Sequence, residues 1–146
     1  MATPRLDPTD VYHVADQLPL QKNEIDEDTW ADCESARYRS TVSRAYYSVF
    51  LNLKAVLIES NKLPGPFPES GVHGKLHRAL KNSIGPTHAL TKKLDKLRTL
   101  RTNADYDLDM DIDLELAETC VDDADEAATI IETLDSVSIS RIAKEL

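Results

Sequence analysis

The chain has 146 residues, 41% hydrophobic and 29% charged, which are the proportions of a globular domain and not of a disordered chain. No run of 18 apolar residues occurs and Met1-Ala2-Thr3-Pro4-Arg5 carries no apolar signal core, so a cytoplasmic protein with no membrane span is expected. A net charge of −9 argues against broad, nonspecific coating of nucleic acid.

In chain order, Asp7-Pro8-Thr9 predicts a short helix, with Thr9 as N-cap and an end near Pro19, followed by a polar loop over 20–27. A long helix is predicted from about Thr29 to Ser60, with Asp28 as its cap. Val42, Tyr46, Val49, Leu53 and Leu57 form its apolar stripe, widened by Ala45 and Phe50. The run Lys62-Leu63-Pro64-Gly65-Pro66-Phe67-Pro68 cannot be helical. A short helix follows from about Val72 to Ser83, and Gly85-Pro86 breaks the chain again. The next helix runs from near Thr87 to about Tyr106. Asp107 to Asp113 alternates acid with apolar at a period of two. With no second strand to pair with, this predicts an extended connector whose Leu108, Met110 and Ile112 clamp onto the bundle. A last long helix is marked by Ala117, Cys120, Ala124, Ala127, Ile131 and Leu134. Asp113 can cap it, and Glu115 and Glu118 suit its positive end. The segment from Val137 to Leu146 adds a final helix or frays. The expectation is an all-α bundle of four main helices with short ends.

Charge is unevenly distributed. Between Lys75 and Arg101 lie eight basic residues and one acid, Asp95; from Thr102 to Ser140 there are 13 acids and no Lys or Arg. The plain reading is that the two segments pack side by side and neutralise each other; the other is a local basic groove on an acidic protein. Cys33 and Cys120 are isolated, without metal-ligand spacing, and read as reduced thiols.

One position breaks the apolar pattern. Leu90, Leu94 and Leu97 recur at four and three residues, and the same spacing continues to Arg101 and Ala104. A guanidinium stands where a leucine is expected. It keeps its charge, so it needs a partner or a wet cleft. Two readings stand: a ligand for phosphate, or a structural ion pair with Asp105 or with an acid of the last long helix. Arg98, three residues earlier, shares that face or is a solvated charge. Tyr46 belongs to the core with its hydroxyl hydrogen-bonded, and Tyr47, about 100° away, lines the cleft. Asp105 and Tyr106 stand to orient the arginine. His73 and His77 have a spacing that can bind metal, but nothing nearby in sequence completes a site, and none is expected.

Two stretches together resemble the HEPN superfamily. Arg39-Ser40-Thr41-Val42-Ser43-Arg44-Ala45-Tyr46-Tyr47-Ser48-Val49-Phe50 is similar to the Arg-Ala-Tyr-Tyr-x-x-Phe helix of small prokaryotic HEPN proteins, and Arg101-Thr102-Asn103-Ala104-Asp105-Tyr106 to their Arg-x-x-Ala-Asp-Tyr pattern. Gly71-Val72-His73 looks like the short histidine segment between them. The resemblance covers roughly 29–135 and implies an up-and-down bundle of four or five helices, a single domain over 1–146, commonly a homodimer. It also implies RNA or nucleotide binding or protein interaction, with no cofactor. Relatives act in defence or toxin–antitoxin systems, many beside a minimal nucleotidyltransferase or antitoxin-like partner. Many are metal-independent ribonucleases using an arginine followed, after four to six residues, by a histidine. Here no histidine follows Arg98 or Arg101 at that spacing. The expectation is therefore a ligand site of Arg98, Arg101, Asp105, Tyr106, Tyr47 and His73 without standard nuclease chemistry. The alternative is a diverged ribonuclease using Arg101, His73 and Tyr106.

Overall fold

The computed structural model describes residues 27–146, with side chains described from Cys33 onward. The helix expected over 7–19 and most of the loop after it lie outside the described residues. Five helices follow in order: α1 (Glu27–Glu59), α2 (Val72–Ser83), α3 (Ala89–Tyr106), α4 (Leu114–Thr133) and α5 (Ser136–Lys144). Among the described residues there is no strand. No helix there is long and apolar enough to cross a membrane.

The long α1 packs along both α3 and α4, which also touch each other, and α2 and α5 close the bundle against α3 and α1. The core follows the expected stripes. Val42, Ala45, Tyr46, Val49, Phe50, Leu53 and Leu57 of α1 are all buried. They meet Leu90, Leu94, Leu97 and Ala104 of α3 and Ala117, Cys120, Ala124, Ala127 and Ile131 of α4. The small residues of α4 let it lie close to α1, as ridge-into-groove packing requires.

Helix boundaries have local causes. The turn after α1 carries Asn61 at a φ of 56°, a left-handed conformation that ends the helix before the prolines. The chain enters α2 through Gly71 at a φ of 61° and leaves it through Gly85 at 101°, both conformations that favour glycine. His88 begins α3, its Nδ1 accepting from the Leu90 amide at 3.1 Å. Asp113 caps α4 by accepting from the Leu116 amide at 2.8 Å, as expected. Asp135 caps α5 in the same way on Ser138 at 2.7 Å. The C-terminal segment is thus a helix, anchored by buried Ile142 and Ala143.

Two expectations are corrected. The long helix begins at Glu27, ahead of the expected Thr29, so Asp28 lies inside its first turn. The connector is not a three-point clamp: Ile112 is buried and Met110 is half-buried, but Leu108 is 81% exposed. The cause is Arg39 of α1. Its guanidinium donates to the carbonyls of Ala104 at 3.1 Å, Asp107 at 2.8 Å and Leu108 at 3.3 Å, and also to that of Met110. Asp107 accepts from the Asp109 amide at 3.2 Å. These bonds gather the connector into a turn. Period two holds only for extended chain, so Leu108 swings out to solvent.

The charge partition is partly resolved by packing. Lys93 and Lys96 of α3 reach Asp123 of α4 at 3.1 and 2.6 Å. Burial alone would raise the Asp123 carboxyl, but hydrogen bonds from Lys96 and Lys93 more than reverse this and hold it below the usual carboxylate range. Cys33 and Cys120 are free thiols, and burial pushes Cys120 up to about 11, away from reactivity.

Candidate functional site

Arg101 sits one turn from the end of α3 on the inward face, 9% exposed. The α1 residues opposite it are aromatic. Its guanidinium carbon lies 5.2 Å from the centre of the Tyr46 ring and 5.4 Å from that of Tyr47, within range of a favourable cation–ring interaction. One carboxylate approaches: Asp105 Oδ2 is 3.6 Å from Arg101 Nη1 and also accepts from Ser43 Oγ at 3.3 Å. The Arg101 Nε is buried and has no hydrogen-bond partner among the described residues. The ion pair with Asp105 therefore exists, but it leaves the guanidinium incompletely satisfied.

His73 enters from α2. Its Nδ1 is 2.7 Å from the Tyr46 hydroxyl. Its ring centre is 4.6 Å from that of Phe50, 5.5 Å from Tyr46 and 5.7 Å from Tyr47. Burial first, then the charges of Arg101 and Arg98, lower its pKa below the usual 6.5, so it is neutral near pH 7. Tyr46 is pushed the other way: burial raises its phenol to about 12, against the opposing pull of Arg101 and Arg98. At neutral pH it is a protonated hydroxyl. Arg98 is half-buried and lies against α2; a side-chain carbon added at Gly74 would sit 3.7 Å from its Nη2. Among the described residues no carboxylate lies within ion-pair distance of Arg98.

The expected residues thus fall into two groups. Arg98, Arg101, His73, Tyr47 and Asp105 come together, with Tyr46 beneath them. Tyr106 ends α3 at 76% exposure, away from the rings that surround Arg101. His77, one turn beyond His73, pairs through Nε2 with Asp95 at 3.2 Å, so the two histidines face different partners. Among the described residues no group of three or more His, Cys, Asp or Glu is placed to hold a metal. Reading the sequence missed Arg39 as the clamp on the end of α3, and missed the pairing of Asp95 with His77. Asp95 did carry a signal, as the single acid in the basic segment.

Chemically, the arrangement offers cationic and neutral donors over an aromatic floor, with a single carboxylate at the edge. These groups gather where α1, α2 and α3 of the helical bundle meet. A family model, that of the HEPN domain, matches residues 27–134. The chain belongs to the HEPN family. No curated protein and no solved structure gives a match to it.

Proposed function

We propose that this HEPN chain is a single-domain module that binds a phosphate-bearing ligand, RNA or a nucleotide, through Arg98, Arg101 and His73. Tyr47 forms a wall of the site, Asp105 orients Arg101, and Tyr106 stands at the outer rim. The carrying observation is the buried Arg101 Nε, which has no partner among the described residues, in a guanidinium approached there by one carboxylate, at 3.6 Å. A purely structural arginine of this burial is expected to have its donors filled. We place the module in a prokaryotic defence or toxin–antitoxin-like system, acting as a homodimer in the cytoplasm with a cognate nucleotidyltransferase or antitoxin-like protein. The absence of a histidine four to six residues after Arg98 or Arg101 supports a role without standard nuclease chemistry.

The test is fluorescence anisotropy with a labelled oligoadenylate RNA. A charge-assisted phosphate contact predicts that Arg101→Ala weakens binding about tenfold to a hundredfold. Exposed Lys92→Ala has a small effect. Equal small losses would mean diffuse electrostatics. Loss of helical circular dichroism in Arg101→Ala would favour the ion-pair role instead.

A second reading, a diverged metal-independent ribonuclease, is favoured by one observation: the Tyr46–His73 hydrogen bond ties a histidine from α2 to the arginine cluster. In it, His73 moves protons and Arg101 holds the phosphate as charge develops.

A further inference from the structure

We infer that Tyr46 is a positioning residue that locks neutral His73 with its proton on Nε2, so that His73 donates a hydrogen bond to the bound phosphate and has no free lone pair with which to take a proton. The inference rests on the phosphate-binding reading above and specifies what His73 contributes to it.

The argument starts at the 2.7 Å contact between the Tyr46 hydroxyl and His73 Nδ1. Two hydrogen placements fit that distance: the phenol donates to Nδ1, or Nδ1–H donates to the phenol oxygen. Tyr46 is 1% exposed, so its own hydrogen needs an acceptor within the protein. Among the described residues, the other polar groups acting on it are Arg101, whose guanidinium carbon lies 5.2 Å from its ring centre, Arg98 and Tyr47. Both arginines are donors with no lone pair to offer, and Tyr47 meets Tyr46 by a ring-edge contact and not by a hydrogen bond. The phenol oxygen therefore turns its lone pairs toward Arg101 and its hydrogen toward His73. Nδ1 is the acceptor, and the single proton of the neutral ring is left on Nε2.

The surroundings keep the ring neutral. The charged and titratable groups facing it are Tyr46 and Tyr47 of α1 and Arg98 and Arg101 of α3. No carboxylate is among the causes acting on it, and both arginines oppose a further positive charge. Packing against Phe50, Tyr46 and Tyr47 limits rotation of the imidazole. A neutral donor beside two guanidiniums suits an anionic oxygen. The same tautomer is unsuited to a general base, because its only lone pair is engaged by Tyr46.

Long-range nitrogen–proton NMR correlation spectra of the ligand-free protein near pH 7 test the tautomer directly. The expected result is an unprotonated Nδ1 and a protonated Nε2 in wild type, giving way to a tautomer mixture in Tyr46→Phe, which keeps the ring packing. A protonated Nδ1 in wild type, or an unchanged tautomer in Tyr46→Phe, overturns the inference. The ligand half is read with the labelled oligoadenylate RNA. Loss of one neutral hydrogen bond predicts binding weakened about 3- to 10-fold in His73→Leu. In His73→Gln, whose amide supplies a donor near the Nε2 position, most of that loss is restored. Equal losses in His73→Leu and His73→Gln overturn the donor role. Failure of wild type to bind the RNA overturns the phosphate-binding reading and the ligand half with it, while the NMR result still decides the tautomer.

Discussion

His77 Nε2 lies 3.2 Å from Asp95 Oδ1, yet the pKa of His77 is lowered and not raised. Burial of the ring outweighs the attraction of Asp95, which is 58% exposed and well screened, and Lys81 and Arg98 add repulsion.

His77 and His73 together give stability a pH dependence of definite sign. Both have folded pKa values below the ordinary 6.5. Below 6.5 the unfolded chain takes up protons that the folded chain refuses. The stabilisation is therefore complete above that value and is lost as pH falls toward the folded values. Thermal melts should show Tm dropping as pH falls below about 6.5. The drop should shrink in a His73→Gln/His77→Gln double variant; an equal drop there would assign the effect to other groups.

Core and connector leucines should separate sharply. Leu97 is fully buried, so Leu97→Ala should cost about 2–5 kcal/mol in denaturant unfolding. Leu108 is turned outward, so Leu108→Ala should change stability by less than about 0.5 kcal/mol. A large cost at Leu108 would restore the clamp expected from the alternating pattern.

That contrast marks what the sequence carries and what it does not. The stripe of Leu90, Leu94, Leu97, Arg101 and Ala104 was legible because helical periodicity is a local signal and every member, including the arginine, is buried. The boundaries of α2 were legible from the proline-rich run over 62–68 and from Gly85-Pro86. The alternation over 107–113 misled because Arg39, 65 residues or more away in sequence, bends the connector. The contact of His73 with Tyr46 is equally nonlocal. Its residues stood in the Arg-Ala-Tyr-Tyr stretch and in the Gly71-Val72-His73 segment, but their distance and proton arrangement exist only once α2 docks on α1.

Ribonuclease activity should be slight. An RNA cleavage assay with chelator present should show little turnover, since Tyr46 is pushed to about 12 and His73 is neutral with its Nδ1 occupied. Robust wild-type cleavage that disappears in both His73→Ala and Arg101→Ala would establish the ribonuclease reading.

Self-association should use the outer face of α1. Leu51 and Ile58 lie there seven residues apart and are 46% and 47% exposed. Light scattering at micromolar concentration should give a dimer mass for wild type and a monomer mass for Leu51→Asp. A wild-type monomer would remove the dimer from the proposal.

The grip of Arg39 on the end of α3 has a dynamic consequence. The last turn of a helix ordinarily frays, because its carbonyls lack partners within the helix. Arg101 lies close to that end and would share in such local opening. A side chain on α1 instead holds the Ala104 carbonyl and those of the residues just after the helix. Opening the end of α3 therefore means breaking its bond to the longest helix of the bundle. In hydrogen exchange, the amides around Arg101 should open together with those of α1 as one cooperative unit, slower than the helix's own length would allow.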